Sequence, residues 1–434
     1  MEYTLFYLTK DLPIYFRADQ VGLLFFTVET VLWLAAGIFS LDYMKQEKHK
    51  ARYYGAYFLV YGVLQGLNFA GNMITFYLFY ELMTLLSVPL VLHHQTKEAL
   101  MAGLKYLLYS VFGGALILFG FFLLASYGNG LTFQAAGILA GQVPGEKEAL
   151  VLSASFCMIL GFSVKAGMFP FHGWLPTAHP EAPAPASAVL SAVIVKMGIL
   201  GIIRTVYYVV GADVLRGTWV QIIWLILALI TVFMGSVLAY RERLLKKRLA
   251  YSTVSQAAYI LFGLALMNGQ ALTGALLHIV CHALFKGTLF LFAGALIHQT
   301  GKQRVDELKG IGKQMPAALW CFTLASLGLV GIPPTVGFLS KWYLAAGALE
   351  SKILPFSWLG PAVLLISALF TAGYLLPISI EGFLPGDRFG EKRKKEPAWL
   401  MLFPILTLAF VSLLMGIFPG IITDQLIQIV GTIF

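Results

Sequence analysis

Charged residues are scarce in this sequence. Only 12% of its 434 residues are Asp, Glu, Lys or Arg and 59% are hydrophobic, whereas soluble domains carry about 25% charged residues. This composition excludes a soluble globular protein and indicates a membrane protein. At roughly 20 apolar residues per crossing, the length allows about ten to fourteen spans and no soluble domain of ordinary size.

Cysteine is also rare, with three residues at Cys157, Cys281 and Cys321. Each stands alone in an apolar run, which excludes a disulfide framework, a Cys-only zinc site and an iron–sulfur cluster. Dinucleotide and Walker fingerprints are absent, and every loop is too short for a nucleotide-binding domain. The net charge of +9 is expected to lie in cytoplasmic loops rather than to bind nucleic acid.

Apolar windows of spanning length predict an all-α polytopic membrane protein with about twelve transmembrane helices. The windows are 21–41, 54–71, 73–92, 106–125, 150–168, 186–208, 219–239, 251–267, 271–297, 317–349, 358–384 and 398–418. The remaining apolar segment, 420–434, follows a Pro-Gly pair and carries Asp424, so we expect an interfacial tail there. The acidic and basic residues that flank the start do not resemble a cleaved signal peptide, so the first span is expected in the mature protein.

Lysine and arginine alternate between loops in a way that predicts the topology. The odd-numbered loops carry the basic residues Lys45, Lys48, Lys50, Arg52, Lys97, Lys105, Arg241, Arg243, Lys246, Lys247, Arg248, Lys302, Arg304, Lys309, Lys313, Arg388 and 392–395. The even-numbered loops are almost uncharged or balanced. By the positive-inside rule, the protein lies in the cytoplasmic membrane with both termini outside.

Two spans contain helix-breaking residues beside a lysine, a pattern typical of transporters built from inverted repeats. Pro170 follows Lys165 in the fifth span, and Pro333 and Pro334 precede Lys341 in the tenth. Spans 2–6 and 7–11 form two five-helix units with the broken helix fourth in each, and the odd number of helices inverts the second unit. The predicted domains are 1–52 with the first span, 53–208 and 219–384 as the repeats, and 398–434 with the last span and tail.

Of the charged residues within predicted spans, five are candidates for an ion path, because a charge there costs at least about 2.5–3.5 kcal/mol and usually marks an ion path or a buried partner. They are Glu81, Lys165, Lys196, Lys286 and Lys341. Buried amines near one movable carboxylate exchange protons around neutral pH, which favours a proton relay. Sodium would need several oxygen ligands. A structural pair of Glu81 with one lysine, and snorkelling of lysines near an interface, are the alternatives.

His278, His282 and Lys286 recur at i, i+4 and i+8 in span nine and therefore share one helix face. The two histidines could bind a metal or haem, pack as hydrogen-bonded side chains, or pass protons. Lys286, one turn further along, would repel a cation. We therefore predict relay roles and no metal, cofactor or catalytic site, with the Pro-rich segment after Pro170 forming a rigid loop.

The segment SVKAGMFPFHGWLPTAHPEAPAPASAVLSAVIVKMGILGIIR resembles the signature of the antiporter-like subunits of respiratory complex I, membrane-bound hydrogenases and Mrp antiporters. HALFKGTLFLFAGALIHQTG and GIPPTVGFLSKWYLAAGAL are similar to two further motifs of that family. The resemblance implies that Glu81 and Lys165 are the paired carboxylate and lysine of one half-channel, Lys196 the connecting lysine and Lys341 the lysine of the other half. His282 and Lys286 match the motif of span nine.

Two departures from the family are expected. Family members usually have two more helices before the one that matches residues 21–41, and the largest member adds a long lateral helix after the last span. Neither has a counterpart in this sequence. The resemblance implies a proton-translocating subunit of a complex I-like or hydrogenase-like oxidoreductase. Such a chain is no enzyme alone. It would work with other membrane subunits in the lipid bilayer and with a peripheral redox arm whose partner subunits hold the iron–sulfur or other cofactors. The alternatives are a subunit of an Mrp-type Na⁺/H⁺ antiporter and a membrane scaffold.

Overall fold

The computed structural model describes residues 2–10, 12–127, 131–139, 141, 143, 145–386 and 395–434. In this part of the chain the structure is a bundle of α-helices with one short β-hairpin at the N-terminal end. The predicted basic residues Arg388 and 392–394 lie outside the described residues. The expectation of an all-α membrane fold is confirmed.

The hairpin strands are β1 (Glu2–Thr9) and β2 (Leu12–Arg17). The helices are α1 (Gln20–Tyr43), α2 (Lys50–Asn68), α3 (Met73–Val91), α4 (Lys97–Leu124), α5 (Glu148–Ala166), α6 (Leu175–Glu181), α7 (Ala184–Val189), α8 (Val195–Ile203), α9 (Ala212–Leu215), α10 (Trp219–Arg241), α11 (Leu245–Ala265), α12 (Gly269–Thr300), α13 (Pro316–Val330), α14 (Val336–Glu350), α15 (Phe356–Phe383), α16 (Trp399–Ile417) and α17 (Gly420–Gly431).

Nine helical stretches of the described chain are long and apolar enough to cross a membrane. The predicted count of about twelve is not confirmed. The helices α2 and α11 do not qualify, because basic and polar residues lower their hydropathy. In the tenth predicted span, α13 has only 15 residues, since the chain is interrupted before α14 begins. The tail residues 420–434 form α17, which packs against α12.

Two segments occupy the centre of the bundle. The most apolar windows of Ala184–Val210 and of α12 are completely buried, whereas those of α1, α4 and α15 are less than half buried. The first central segment is α7 and α8 with two stretches of π-helix, Leu190–Ile194 and Arg204–Val210. Because other helices surround both segments, polar side chains on them are shielded from lipid.

Within each of the two predicted five-helix units, the helices pack on one another in the same pattern. The first two helices of each unit pack together, α2 on α3 and α10 on α11, and the broken helix packs on the third, α5 on α4 and α14 on α12. The boundaries of these units, and their relation as inverted repeats, stay a prediction.

The hairpin at the N-terminus was not anticipated from the sequence. It is joined to the bundle through Arg17, whose backbone N–H donates to the carbonyl of Phe69 at 2.7 Å. Asp19 caps the start of α1 and binds the buried guanidinium of Arg204 through both carboxylate oxygens, at 2.5 and 2.9 Å. This bidentate ion pair fixes α1 to the central segment.

Candidate functional site

The first interruption lies directly after Lys165. Helix α5 ends at Ala166, and Gly167 follows with φ +79°, a left-handed conformation that glycine adopts without strain. Pro170 stands in the link, three residues beyond that glycine, and the helical path resumes with a 3₁₀ turn and α6. The residues after Pro170 are therefore mostly helical rather than a loop, and Lys165 lies in the last turn of α5.

Lys165 is fully buried and its ammonium is bound by three hydroxyl groups. It donates to Thr84 Oγ1 at 2.9 Å, Tyr106 Oη at 3.0 Å and Ser110 Oγ at 2.8 Å, and lies 4.4 Å from the centroid of the Tyr106 ring. These side chains come from α3 and α4. Glu81 is half-buried on α3 and interacts electrostatically with Lys165, but no ion pair within 4.0 Å joins them. Hydroxyl groups, rather than the Glu81 carboxylate, therefore bind the Lys165 ammonium directly.

The second interruption has the same form. Helix α13 ends at Val330, and Gly331 follows with φ +88°. Pro333 and Pro334 stand in the link before α14 begins at Val336. The last carbonyls of α13 have no intrahelical partner and carry the negative end of the helix dipole.

Lys341 of α14 turns back to these free carbonyls. Its ammonium donates to the carbonyl oxygens of Leu329 at 2.5 Å and Val330 at 3.0 Å. It also lies 5.0 Å from the centroid of the Tyr259 ring. The interruption of α13 thus provides the oxygen atoms that hold this cation inside the bundle.

Lys196 lies on the central segment, two residues after the π-helical stretch Leu190–Ile194 ends. It is 2% exposed and donates to the carbonyl of Ser191 at 2.7 Å. The Ser191 hydroxyl contacts that of Thr253 in α11 at 2.7 Å. A π-helical turn is rare and often marks a functional site, because it changes which side chains share a face.

The predicted stack on α12 is present. The rings of His278 and His282 lie parallel with centroids 5.9 Å apart, and both residues are buried. His278 Nδ1 contacts the hydroxyl of Ser340, the neighbour of Lys341, at 2.9 Å. Lys286 is fully buried and donates to the carbonyl of Leu249 at 3.0 Å. The charge of Lys196 interacts with both histidines and with Lys286. The two histidines and Lys286 therefore lie between the surroundings of Lys341 and those of Lys196.

Several buried polar atoms of α11 and α12 have no hydrogen-bond partner among the described residues. They include both ring nitrogens of His282, Nε2 of His278 and both amide atoms of Gln256. Buried polar groups are normally satisfied by protein or solvent, so these atoms are open to water or to a proton. The described part of the chain contains no group of three or more His, Cys, Asp or Glu residues able to hold a metal ion.

A family model described as NADH:quinone oxidoreductase/Mrp antiporter, TM matches residues 70–371. The chain belongs to this family. The matched segment includes every buried lysine described above and both interruptions.

Three curated relatives of the NADH:quinone oxidoreductase/Mrp antiporter family align over most of the chain. NADH-quinone oxidoreductase subunit N of Desulforudis audaxviator is 33% identical over 91% of this chain and 80% of its own length. Hydrogenase-4 component B of Escherichia coli is 33% identical over 75% of this chain, and Na(+)/H(+) antiporter subunit A1 of Staphylococcus aureus is 30% identical over 94%. The chain spans about half the length of these last two, 50% and 53%.

Solved structures of multisubunit complexes contain the same fold. A chain of the Mrp complex from Dietzia sp. DQ12-45-1b aligns over all of this chain and 87% of its own length, with a TM-score of 0.86 and 21% identity. A chain of respiratory complex I from Thermus thermophilus aligns over all of this chain and 89% of its own length, with a TM-score of 0.85 and 22% identity. These similarities show that the chain has the same fold as those chains.

The hydroxyl groups around the lysines were not identified from the sequence. Thr84, Tyr106 and Ser110 bind Lys165, and Ser340 binds His278. The spacing of Tyr106 and Ser110, i and i+4, is a signal that they share a helix face. It does not reveal that the face meets Lys165, because that depends on how α4 packs against α5.

Proposed function

We propose that this chain is a proton-translocating antiporter-like membrane subunit of a complex I-like or hydrogenase-like respiratory oxidoreductase. In such a complex, redox chemistry in partner subunits drives protons through the buried Lys, His and Glu side chains of this subunit. The proposal is supported by the family and by relatives whose names include NADH-quinone oxidoreductase subunit N and hydrogenase-4 component B.

One observation carries the proposal: three buried lysines, two buried histidines and the half-buried Lys341 follow one another from α5 to α14. Lys165 has only neutral oxygen partners, Lys196 and Lys286 each donate to one carbonyl, and Lys341 donates to two. None of these amines has a carboxylate within 4.0 Å among the described residues. An amine without a fixed counter-charge releases its proton more readily than an ion-paired one.

The relay runs in order through Lys165, Lys196, Lys286 with His282, His278 and Lys341. Glu81 is the movable counter-charge at one end. His282 and His278 transfer protons between the two lysine-containing units, since a neutral imidazole both donates and accepts. The interruption at Pro333 and Pro334 leaves free the backbone carbonyls that bind Lys341. At the other end, beside the interruption at Pro170, side-chain hydroxyls bind Lys165.

The proposal includes an assembly and a location. The chain works beside other membrane subunits and a peripheral redox arm, and the iron–sulfur or other redox cofactors belong to those partners. It lies in the cytoplasmic membrane with both termini outside, as the basic loops favour. The units 53–208 and 219–384 are the two inverted repeats that carry the half-channels.

A subunit of an Mrp-type Na⁺/H⁺ antiporter is the second candidate. It is favoured by the 30% identity to Na(+)/H(+) antiporter subunit A1 over 94% of this chain and by the likeness of the fold to the Mrp complex. The buried lysines fit both candidates. The partners therefore decide between them.

Purification of the native complex followed by transport assays tests the function. We expect iron–sulfur or hydrogenase subunits to co-purify and proton uptake into sealed vesicles to start when an electron donor is added. Uptake that needs no electron donor, depends on a Na⁺ gradient and accompanies only small membrane subunits would support the Mrp candidate. A complex that transports neither ion would contradict both.

A further inference from the structure

Hydroxyl side chains line the facing sides of α11 and α15. All six are completely buried: Ser252, Ser255 and Tyr259 on α11, and Ser367, Thr371 and Tyr374 on α15. On each helix the residues are three or four positions apart, so they form one stripe along the helix axis. The stripe lies outside the relay described above.

Hydrogen bonds join these hydroxyls into two groups. The Tyr374 hydroxyl donates to Ser252 Oγ at 2.7 Å and contacts Thr371 Oγ1 at 3.4 Å. A second group contains Ser255 and Ser367 with Ser236 of α10, whose hydroxyl oxygens are 2.5 to 3.2 Å apart. The groups are separated by one helical turn, about 5 Å, a distance that one water molecule bridges.

The inner end of the stripe lies beside Lys341, which contacts the ring of Tyr259. The Tyr259 hydroxyl donates to the carbonyl of Leu364 at 2.7 Å and interacts with the hydroxyl of Ser367. The ring of the same tyrosine lies 5.0 Å from the Lys341 ammonium. The second hydroxyl group is thus one side chain away from the amine at the end of the relay.

The outer end of the stripe meets a cavity of about 430 Å³ on the face of the bundle that carries the basic loops. Its charged lining residues are Arg243, Arg248, Asp306, Lys309 and Glu381. Arg248 also donates to the carbonyl of Tyr374 at 2.8 Å, so it borders both the cavity and the first hydroxyl group. Three cations and two carboxylates make this cavity a place for water.

We propose that this stripe is a proton path from the cavity to Lys341. The inference rests on the proposed function and adds to it a second route of uptake, on the basic face. Each hydroxyl oxygen binds a proton from the side of the cavity and releases its own proton to the next oxygen. The last proton binds the neutral amine of Lys341 and converts it to an ammonium. Only O–H and N–H bonds change, and no electron is transferred.

The same hydrogen bonds could act only to hold α10, α11 and α15 together, and variants separate the two roles. Tyr374→Phe and Ser252→Ala remove hydroxyls from the first group while keeping most of the packing. Tyr207→Phe is the matched control, because Tyr207 is also fully buried and its hydroxyl donates to a backbone carbonyl, that of Leu264 at 2.8 Å, outside the stripe. The variants are introduced into the intact complex, and uptake is normalised to the amount of assembled subunit.

Redox-driven proton uptake into sealed vesicles is measured in H₂O and in D₂O. We expect Tyr374→Phe to lower the rate about a hundredfold, the lower end of the loss typical of one missing proton-transfer group, and to raise the H₂O/D₂O rate ratio. Tyr207→Phe should change neither quantity. Wild-type rates and isotope ratios in both Tyr374→Phe and Ser252→Ala would overturn the path. If Lys341→Ala also transported normally, the proposed function itself would fail.

A labelling experiment tests the path independently, in case the hydroxyl variants do not assemble into the complex. Val305 lines the cavity, and Val305→Cys allows a bulky charged methanethiosulfonate reagent to be attached there. We expect labelling to lower proton uptake by this variant, with the labelled wild-type complex as the control for the three native cysteines. Unchanged uptake after complete labelling would exclude the cavity as the start of the path.

Discussion

Gly114 of α4 leaves the space that the carboxylate of Glu81 occupies. A β-carbon at position 114 would lie 2.2 Å from Glu81 Oε1. Tyr106, Ser110 and Gly114 follow one another at intervals of four residues and share one face of α4. Because the first two bind Lys165, the carboxylate lies one helical turn from the shell of that ammonium.

This close approach predicts the effect of Gly114→Ala. The added methyl group would displace the Glu81 carboxylate from α4, so we expect proton uptake to fall about as far as in Glu81→Gln, roughly a hundredfold. Gly62→Ala is the control, because a β-carbon there would meet no atom within 4 Å. Redox-driven uptake in sealed vesicles is the measurement, and a normal rate in Gly114→Ala would show that the position of the carboxylate is unimportant.

Lys165→Arg separates charge from proton transfer. Arginine keeps its positive charge but does not release its proton, and the three hydroxyls around Lys165 are arranged for a compact ammonium. We expect this variant to transport protons about a hundredfold more slowly than the wild type, nearly as slowly as Lys165→Ala. Subunit content is checked by immunoblotting. Rapid uptake by Lys165→Arg would indicate that only the charge matters.

Lys341→Ala removes the amine at the other end of the relay. The variant leaves the carbonyls of Leu329 and Val330 without their partner, at a cost of about 1–3 kcal/mol each if water does not replace it, so a modest loss of stability should accompany the loss of uptake. Lys352→Ala, an exposed position beyond the end of α14, should leave both unchanged. Normal pumping by Lys165→Arg and Lys341→Ala together would rule out these lysines as obligatory proton carriers.

His93 lies beyond the end of α3 and predicts a pH dependence of stability. Burial, with the charges of His94 and Arg52, lowers the pKa of His93 from 6.5 to about 4. Between these values the unfolded chain binds a proton that the folded chain does not, so His93 makes stability fall as pH falls from about 6.5 to 4. We expect His93→Asn to reduce the loss of thermal stability of the detergent-solubilised complex over this range, with His298→Asn, in the last turn of α12, as the control. Equal losses in the wild type and in His93→Asn would contradict the assignment.

Cysteine labelling tests the topology. Gln303 and Glu146 are exposed residues in loops that the charge pattern places on opposite sides of the membrane. Cysteines introduced at these positions should react with an impermeant thiol reagent from opposite faces of sealed vesicles. Reaction from the same face would be incompatible with the predicted orientation.

The order of the helices and the place of the buried lysines were predictable, because a membrane requires apolar runs of fixed length and makes every charge within them conspicuous. The exact starts of the interruptions were not. The prolines suggested breaks at Pro170 and Pro333, whereas the helices end earlier, at Ala166 and Val330. Each is followed by a glycine, Gly167 or Gly331, at which the backbone turns left-handed. Sequence shows that such a residue is glycine but not its φ angle.

The partners of the lysines depend on packing between distant helices. Glu81 and Lys165 suggested a direct ion pair, yet the ammonium is bound by hydroxyls of α3 and α4 instead. Serine and threonine in helices commonly bond to their own backbone, so their spacing alone does not predict a role at a site. The hairpin Glu2–Arg17 was missed because its apolar run is too short to be distinguished by hydropathy from the end of a span.

The π-helical stretch Leu190–Ile194 makes the alignment of the central residues depend on a single inserted position. An α-helix advances about 100° per residue, so deletion of one residue here would restore regular α-helix and rotate everything on one side of it by that angle relative to the other. Lys196 would then no longer lie on the side of the segment that faces α12, although the composition, hydropathy and length of the chain would hardly change. Homologues of equal hydropathy can therefore differ in whether their two halves are in register, and this single-residue spacing is the feature to compare among them.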